Sequence, residues 1–157
     1  MSSKPSARPR RFPVGRPDAR HSGRGAHPSL VDGRAAVLVV DDDTDARVIY
    51  GTYLRAMGCD VFTAADGRRA IDEAKNLLPD VIVMDLAMPR LDGWEAIRQL
   101  RDSSWTRRIP IIAVSAVPLS RETAFDAGCD AYLMKPCEPQ VLWAQIRALL
   151  KLPAVSH

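Results

Sequence analysis

From Ala35 to Leu150 the chain alternates two hydrophobic rhythms. Short runs rich in β-branched and aliphatic residues, "AAVLVV" at 35–40, "DVFTA" at 60–64, "DVIVMD" at 80–85, "IPIIAVS" at 109–115 and "AYLMK" at 131–135, have the length and composition of strands. Between them, apolar residues recur every three or four positions, the spacing of an amphipathic helix. This predicts a helix over 44–57, ended by Gly58, with Val48, Ile49, Leu54 and Met57 inward. A second is expected over 67–78, stopped by Pro79, with Ala70, Ile71, Ala74, Leu77 and Leu78 inward, and a third over 93–102 presenting Trp94, Ile97 and Leu100. The last two span 119–127, closed by Gly128, and 138–151, with Val141, Leu142, Ile146, Leu149 and Leu150 facing the core.

Five βα units in succession call for an α/β fold, a parallel sheet covered by helices on both faces. Right-handed crossovers leave few windings. The doubly wound order 2-1-3-4-5 suits five units and sets the carboxyl ends of strands one and three side by side, where ligands bind in such sheets.

Composition narrows this to one globular unit over 35–151. The chain has 157 residues, 46% of them hydrophobic, enough for one core. No apolar run approaches the roughly 20 residues of a membrane span, and no apolar segment or cleavage site follows Arg10 and Arg11 to make an export signal. A cytoplasmic protein is the expectation. The net charge of +3 hides an asymmetry: residues 1–34 carry eight basic against two acidic side chains, and 35–157 carry 14 against 17. The basic stretch, with five prolines and four glycines, reads as a disordered tail whose sharper alternative role is electrostatic contact with nucleic acid or anionic lipid. Residues 152–157 form a short C-terminal tail. Cys59, Cys129 and Cys137 are odd in number and lack metal-site spacing, and His21, His27 and His157 lie near the chain ends, so zinc and disulfide frameworks are not expected.

Candidate chemistry sits at the strand ends. In "VLVVDDDTDAR" (37–47) four carboxylates crowd within five positions behind a buried strand, where like charge and burial both penalise ionisation. In the winding above, Asp41 and Asp42, Asp85, Ser115 and Lys135 converge on one crevice. Three carboxylates there suit a hard divalent cation such as Mg²⁺. Asp41 and Asp42 would hold it, leaving Asp85 as a nucleophile toward a phosphoryl group whose charge the ion and Lys135 neutralise.

On the segments "VLVVDDD", "VIVMDLAMPRLDGWE", "IIAVSA" and "AGCDAYLMKP", the chain resembles the receiver domain of two-component response regulators, over about residues 35–151. The intervals of 43 residues from Asp42 to Asp85, 30 to Ser115 and 20 to Lys135 add to the match. The resemblance implies a flavodoxin-like fold. Site by site, it implies that Asp41, Asp42, Asp85 and the backbone carbonyl of Ala87 bind Mg²⁺, that Asp85 accepts phosphate, and that Ser115, Tyr132 and Lys135 bind phosphate and switch. It further implies a sensor histidine kinase or phosphotransfer protein as donor, a separate output protein as target, and a phosphorylation-dependent homodimer as a further candidate assembly. The role implied is that of a phosphoacceptor, not an enzyme beyond slow self-dephosphorylation.

Three features depart from the family pattern. Serine stands at 115 where threonine is commoner, the stretch from Ser115 to Lys135 is about two residues short, and "KLPAVSH" after Leu150 leaves no room for a DNA-binding output domain within this sequence. Ala87 and Val117, flanking the site, offer no polar group to position a hydrolytic water, so a slowly decaying phosphoaspartate is expected. Asp43 and Asp45 read as helix N-terminal charges, and Pro89 with Asp92-Gly93 as loop-shaping residues. Two rivals stand beside this reading: a receiver fold that is phosphorylation-silent and only docks a partner, and a Mg²⁺-dependent phosphohydrolase of the haloacid dehalogenase type, whose fingerprint also starts with strand-end aspartates. The latter fits poorly because Thr44 falls one place early and no cap segment is available. An EF-hand loop starting at Asp41 fails at Ala46 and Thr52.

Overall fold

The computed structural model describes residues 33–88, 92–118 and 121–153. Residues 1–32 of the tail expected to be disordered, the loop role of Pro89 and the first two residues of the helix expected over 119–127 lie outside them. Arg34, the last residue of that tail, is described, and its Nε lies 3.5 Å from an Asp60 carboxylate oxygen. Ten elements alternate: β1 (Ala36–Val40), α1 (Thr44–Ala56), β2 (Asp60–Ala64), α2 (Gly67–Leu77), β3 (Val81–Asp85), α3 (Gly93–Asp102), β4 (Ile111–Ser115), α4 (Arg121–Asp126), β5 (Ala131–Met134) and α5 (Pro139–Leu150). The strands form one parallel sheet in the order β2-β1-β3-β4-β5, as the doubly wound winding requires.

Burial explains which strands are central. Every residue of β1, β3 and β4 is buried, whereas β2 and β5 are only partly covered, as edge strands are. Alternation along each central strand divides the core in two. Leu38, Val40, Ile82, Met84, Ile111 and Ala113 point to the face covered by α2, α3 and α4. Val37, Val39, Val81, Val83, Ile112 and Val114 point to the face covered by α1 and α5.

Helix starts follow side-chain caps. Asp43, Asp66 and Asp92 accept from the backbone N–H groups of Asp45, Arg69 and Glu95 at 2.9, 2.8 and 2.8 Å, each satisfying a donor that the helix leaves free. Helix α5 starts with Pro139 instead, whose missing N–H costs nothing in the first turn. Strand β4 begins at Ile111 rather than Ile109, because Pro110 has no N–H to donate to a ladder.

Two inward faces differ from the sequence pattern. In α1 the buried residues are Tyr50, Gly51 and Leu54, while Val48 and Ile49 are 57% and 55% exposed. Counting back from Leu54, Tyr50 and Gly51 share its side of the helix, and Val48 and Ile49 stand about 120–140° round the axis. In α5, Trp143 takes the inward place given to Val141, which is half exposed, and Leu149 is only partly buried.

Candidate functional site

All the site residues but Tyr132, which lies within β5, stand where a strand runs out. Asp41, just beyond β1, is 3% exposed, and its N–H still donates to the Ala64 carbonyl of the neighbouring strand at 3.1 Å. One carboxylate oxygen accepts from the Asp43 N–H at 2.9 Å and the other from Lys135 Nζ at 2.8 Å. Asp85, the last residue of β3, is equally buried. Its Oδ1 accepts from the Ala87 N–H at 3.0 Å, and its Oδ2 lies 3.5 Å from Lys135 Nζ. Asp42 is exposed at the rim. The three carboxylates each bring an oxygen within 4.8 Å of the others.

The electrostatics follow from this crowding. Burial, with Asp41 and then Asp42 as like-charged neighbours, lifts the Asp85 carboxyl to a pKa of about 6 against the pull of the Ala87 hydrogen bond and Lys135. For Lys135 burial opposes the charge, but the hydrogen bond and charge of Asp41, then Asp85, outweigh it and push its pKa up. One ammonium among three carboxylates leaves the site short of positive charge. All-oxygen donors with an open, partly solvated rim are what Mg²⁺ takes, so the residues present fit that ion.

Ser115 and Tyr132 meet at one residue. Ser115 is 1% exposed at the end of β4; its Oγ accepts from the Val117 N–H at 3.1 Å, and its carbonyl accepts from the Lys135 N–H at 2.8 Å. Tyr132, half-buried on β5, donates its hydroxyl to the Val117 carbonyl at 2.7 Å. The backbone of Val117 thus joins the serine and the tyrosine. Ala87 is exposed, two residues past Asp85, with its N–H turned to the Asp85 carboxylate.

Three supporting residues escaped the sequence reading. A Cβ at Gly93 would collide with the Asp85 carbonyl oxygen and the Leu86 Cα, so only glycine lets α3 start this close to the end of β3. The Asp-Gly pair signalled a turn but not this contact. Arg47 donates to the Asp41 carbonyl at 2.7 Å and to the Thr44 hydroxyl at 3.1 Å, and Tyr50 donates to the Cys137 carbonyl at 2.8 Å. Nothing in a helical pattern marks either as a site residue.

Comparison with known proteins decides the family. The model of the response regulator receiver domain matches residues 37–147. The chain belongs to the response regulator receiver family. Among curated relatives, this receiver is 40% identical over 115 residues to a probable transcriptional regulator, ycf27, of Porphyridium aerugineum, covering 73% of this chain and 48% of that protein. It is 41% identical over 115 residues to the response regulator MprA of Mycolicibacterium vanbaalenii, covering 73% of this chain and 50% of the relative. The chain therefore spans about half the length of these relatives. The chemotaxis response regulator CheY4 of Vibrio cholerae superposes with a TM-score of 0.70 at 30% identity, covering 74% of this receiver and 98% of that chain. The receiver domain of the sensor histidine kinase PA1611 from Pseudomonas aeruginosa, with a magnesium ion coordinated in its active-site cleft, superposes with a TM-score of 0.69 at 32% identity over 75% and 98% of the two chains. No described helix of the receiver is long and apolar enough to cross a membrane.

Proposed function

We propose that this receiver takes a phosphoryl group onto Asp85 from the phosphohistidine of a sensor histidine kinase or phosphotransfer protein, with Asp41, Asp42, Asp85 and the Ala87 carbonyl as the ligands of Mg²⁺. The observation that carries this is the placement of Asp85, buried between two further carboxylates and the Lys135 ammonium at the carboxyl end of a parallel sheet. Bound there, the ion would neutralise the acidic cluster and the phosphoryl oxygens.

The protein's own part is positioning. A carboxylate oxygen of Asp85 forms a bond to phosphorus as the phosphorus–nitrogen bond of the donor breaks; the imidazole leaves with the electron pair and takes up a proton. The Ala87 N–H holds Oδ1 of Asp85 in place, and Lys135 supplies positive charge 3.5 Å from Oδ2. Phosphorylation adds roughly −1.5 to −2 charges at the strand end. The Ser115 hydroxyl, which uses its oxygen to accept from Val117, still has a proton to give to that charge. A move of Ser115 pulls on Val117, and Tyr132, bonded to the Val117 carbonyl, is released from its place. The surface made by α4, β5 and α5 then shifts population, and a separate output protein or a second receiver reads it. The site of action is the cytoplasm. Ala87 and Val117, which flank the site, have no polar side-chain group to position a hydrolytic water, so decay of the phosphoaspartate is slow.

Incubation with acetyl phosphate and Mg²⁺ tests the reading. The intact mass rises by one phosphoryl group, the label persists beyond seconds, and Asp85→Asn abolishes it. Turnover of many equivalents of acetyl phosphate would make the chain a hydrolase, and no mass change would make it a silent docking module.

A further inference from the structure

Helix α1 reaches the lysine side of the site through a residue that none of these roles uses. Tyr50 is 7% exposed and donates its hydroxyl to the Cys137 carbonyl at 2.8 Å, across 87 residues of sequence. Burial first, then the nearby Cys137, push its pKa up, so the phenol remains a protonated donor. Cys137 lies two residues beyond Lys135 in "KPCEP", where Pro136 and Pro139 have no N–H with which to anchor the backbone. The Lys135 N–H is fixed to the Ser115 carbonyl at 2.8 Å, so this segment is held by the sheet at its start and by Tyr50 two residues on. Between those ties the Lys135 side chain extends to Asp41 at 2.8 Å and Asp85 at 3.5 Å.

We propose that Tyr50 is a positioning residue: its hydroxyl, through the Cys137 carbonyl, fixes the loop that carries Lys135 and so sets how tightly the site holds a phosphoryl group on Asp85. The inference rests on the reading of Lys135 as the phosphoryl partner. A lysine is a compact charge on a flexible four-carbon stem, so its value as a partner depends on where its backbone is held. The acids proposed for the metal hang from β1 and β3, with Arg47 tying down the Asp41 carbonyl, and none hangs from this loop. Tyr50 should therefore affect anion capture and leave metal affinity alone.

The full chain carrying Tyr50→Phe, which removes one oxygen and keeps the ring, separates the two. Mg²⁺ affinity is measured by calorimetry, and beryllofluoride, as the phosphoryl mimic, is titrated at saturating Mg²⁺ by fluorine NMR. The expected result is Mg²⁺ affinity within twofold of the unsubstituted chain, beryllofluoride affinity about five- to tenfold weaker, and less than a further twofold loss when Tyr50→Phe is added to Lys135→Ala. Unchanged beryllofluoride affinity, equal loss in both backgrounds, or a parallel loss of Mg²⁺ affinity would overturn the inference while leaving Asp85 as the acceptor. Failure of the unsubstituted chain to bind beryllofluoride at all would overturn the reading of the site and this inference with it.

Discussion

The two ends of β3 carry buried aspartates with opposite fates. Asp80, just before the strand, is 1% exposed and exchanges two hydrogen bonds with Ala36: its carboxylate accepts from the Ala36 N–H at 2.7 Å, and its own N–H donates to the Ala36 carbonyl at 2.8 Å. Asp85, at the other end, is 4% exposed, accepts one backbone N–H, and faces Asp41 and Asp42 with a lysine 3.5 Å away. Burial is the same in both, and satisfaction differs. An acid that closes a backbone pair stabilises the fold, whereas one left short of positive charge costs stability, and it is this second acid that the proposed function makes the phosphoacceptor.

The largest break in this comparison should come from the glycine that lets the reactive end form. Gly93→Ala forces a Cβ into the Asp85 carbonyl and the Leu86 Cα, backbone atoms that cannot swing aside. We expect a loss of about 3 kcal/mol in urea unfolding. Retained stability would mean that α3 does not need its close approach to β3. At the other end, Asp80→Ala leaves the Ala36 N–H buried without this acceptor and should cost about 2 kcal/mol.

Asp85→Asn should move stability the other way, by about 1–2 kcal/mol at pH 7.5 without divalent metal. Its sign follows from linkage. The folded-state pKa of about 6 lies above the ordinary 3.8, so the folded chain binds the proton more tightly than the unfolded one. The contribution of Asp85 to stability is therefore fully present below pH 3.8 and lost as the pH rises through 6. The advantage of Asp85→Asn over the unsubstituted chain should shrink as pH falls from 7.5 to 5. An advantage that stays constant would show that burial and like charge do not penalise Asp85.

How much of this was legible in the sequence depends on what each residue's neighbours are. Central strands were legible because both faces are buried, so β1 is apolar throughout and β3 and β4 are apolar up to their last residues, Asp85 and Ser115. The clustering of Asp41, Asp42, Asp85 and Lys135 was legible once the strand order was fixed, since a parallel sheet brings its carboxyl ends to one edge. Asp80 was hidden inside "DVIVMD", where its burial depends on Ala36, which is 44 residues away. Gly93 looked like turn chemistry because the contact that demands glycine is with the preceding strand end. Tyr50 was hidden for a related reason: its hydroxyl has a partner 87 residues on. Local pattern reports periodicity, and long-range hydrogen bonds leave no local trace.

The smallest effect is expected from the exposed side of α1, a helix round which the same contrast between fold-holding and spare residues runs. Leu54 is fully buried, and Leu54→Ala should cost about 3 kcal/mol through lost burial and the cavity left behind. Val48 and Ile49, equally apolar, are more than half exposed and make no part of either core cluster. Alanine at both positions deletes little buried surface and replaces two β-branched residues by the best helix former. The double substitution should therefore be neutral or stabilising by about 0.5–1 kcal/mol in thermal or urea unfolding. A loss comparable to that of Leu54→Ala would put Val48 and Ile49 on the inner face after all, as their hydrophobicity alone suggests, and would rotate α1 away from the placement that brings Tyr50 to Cys137.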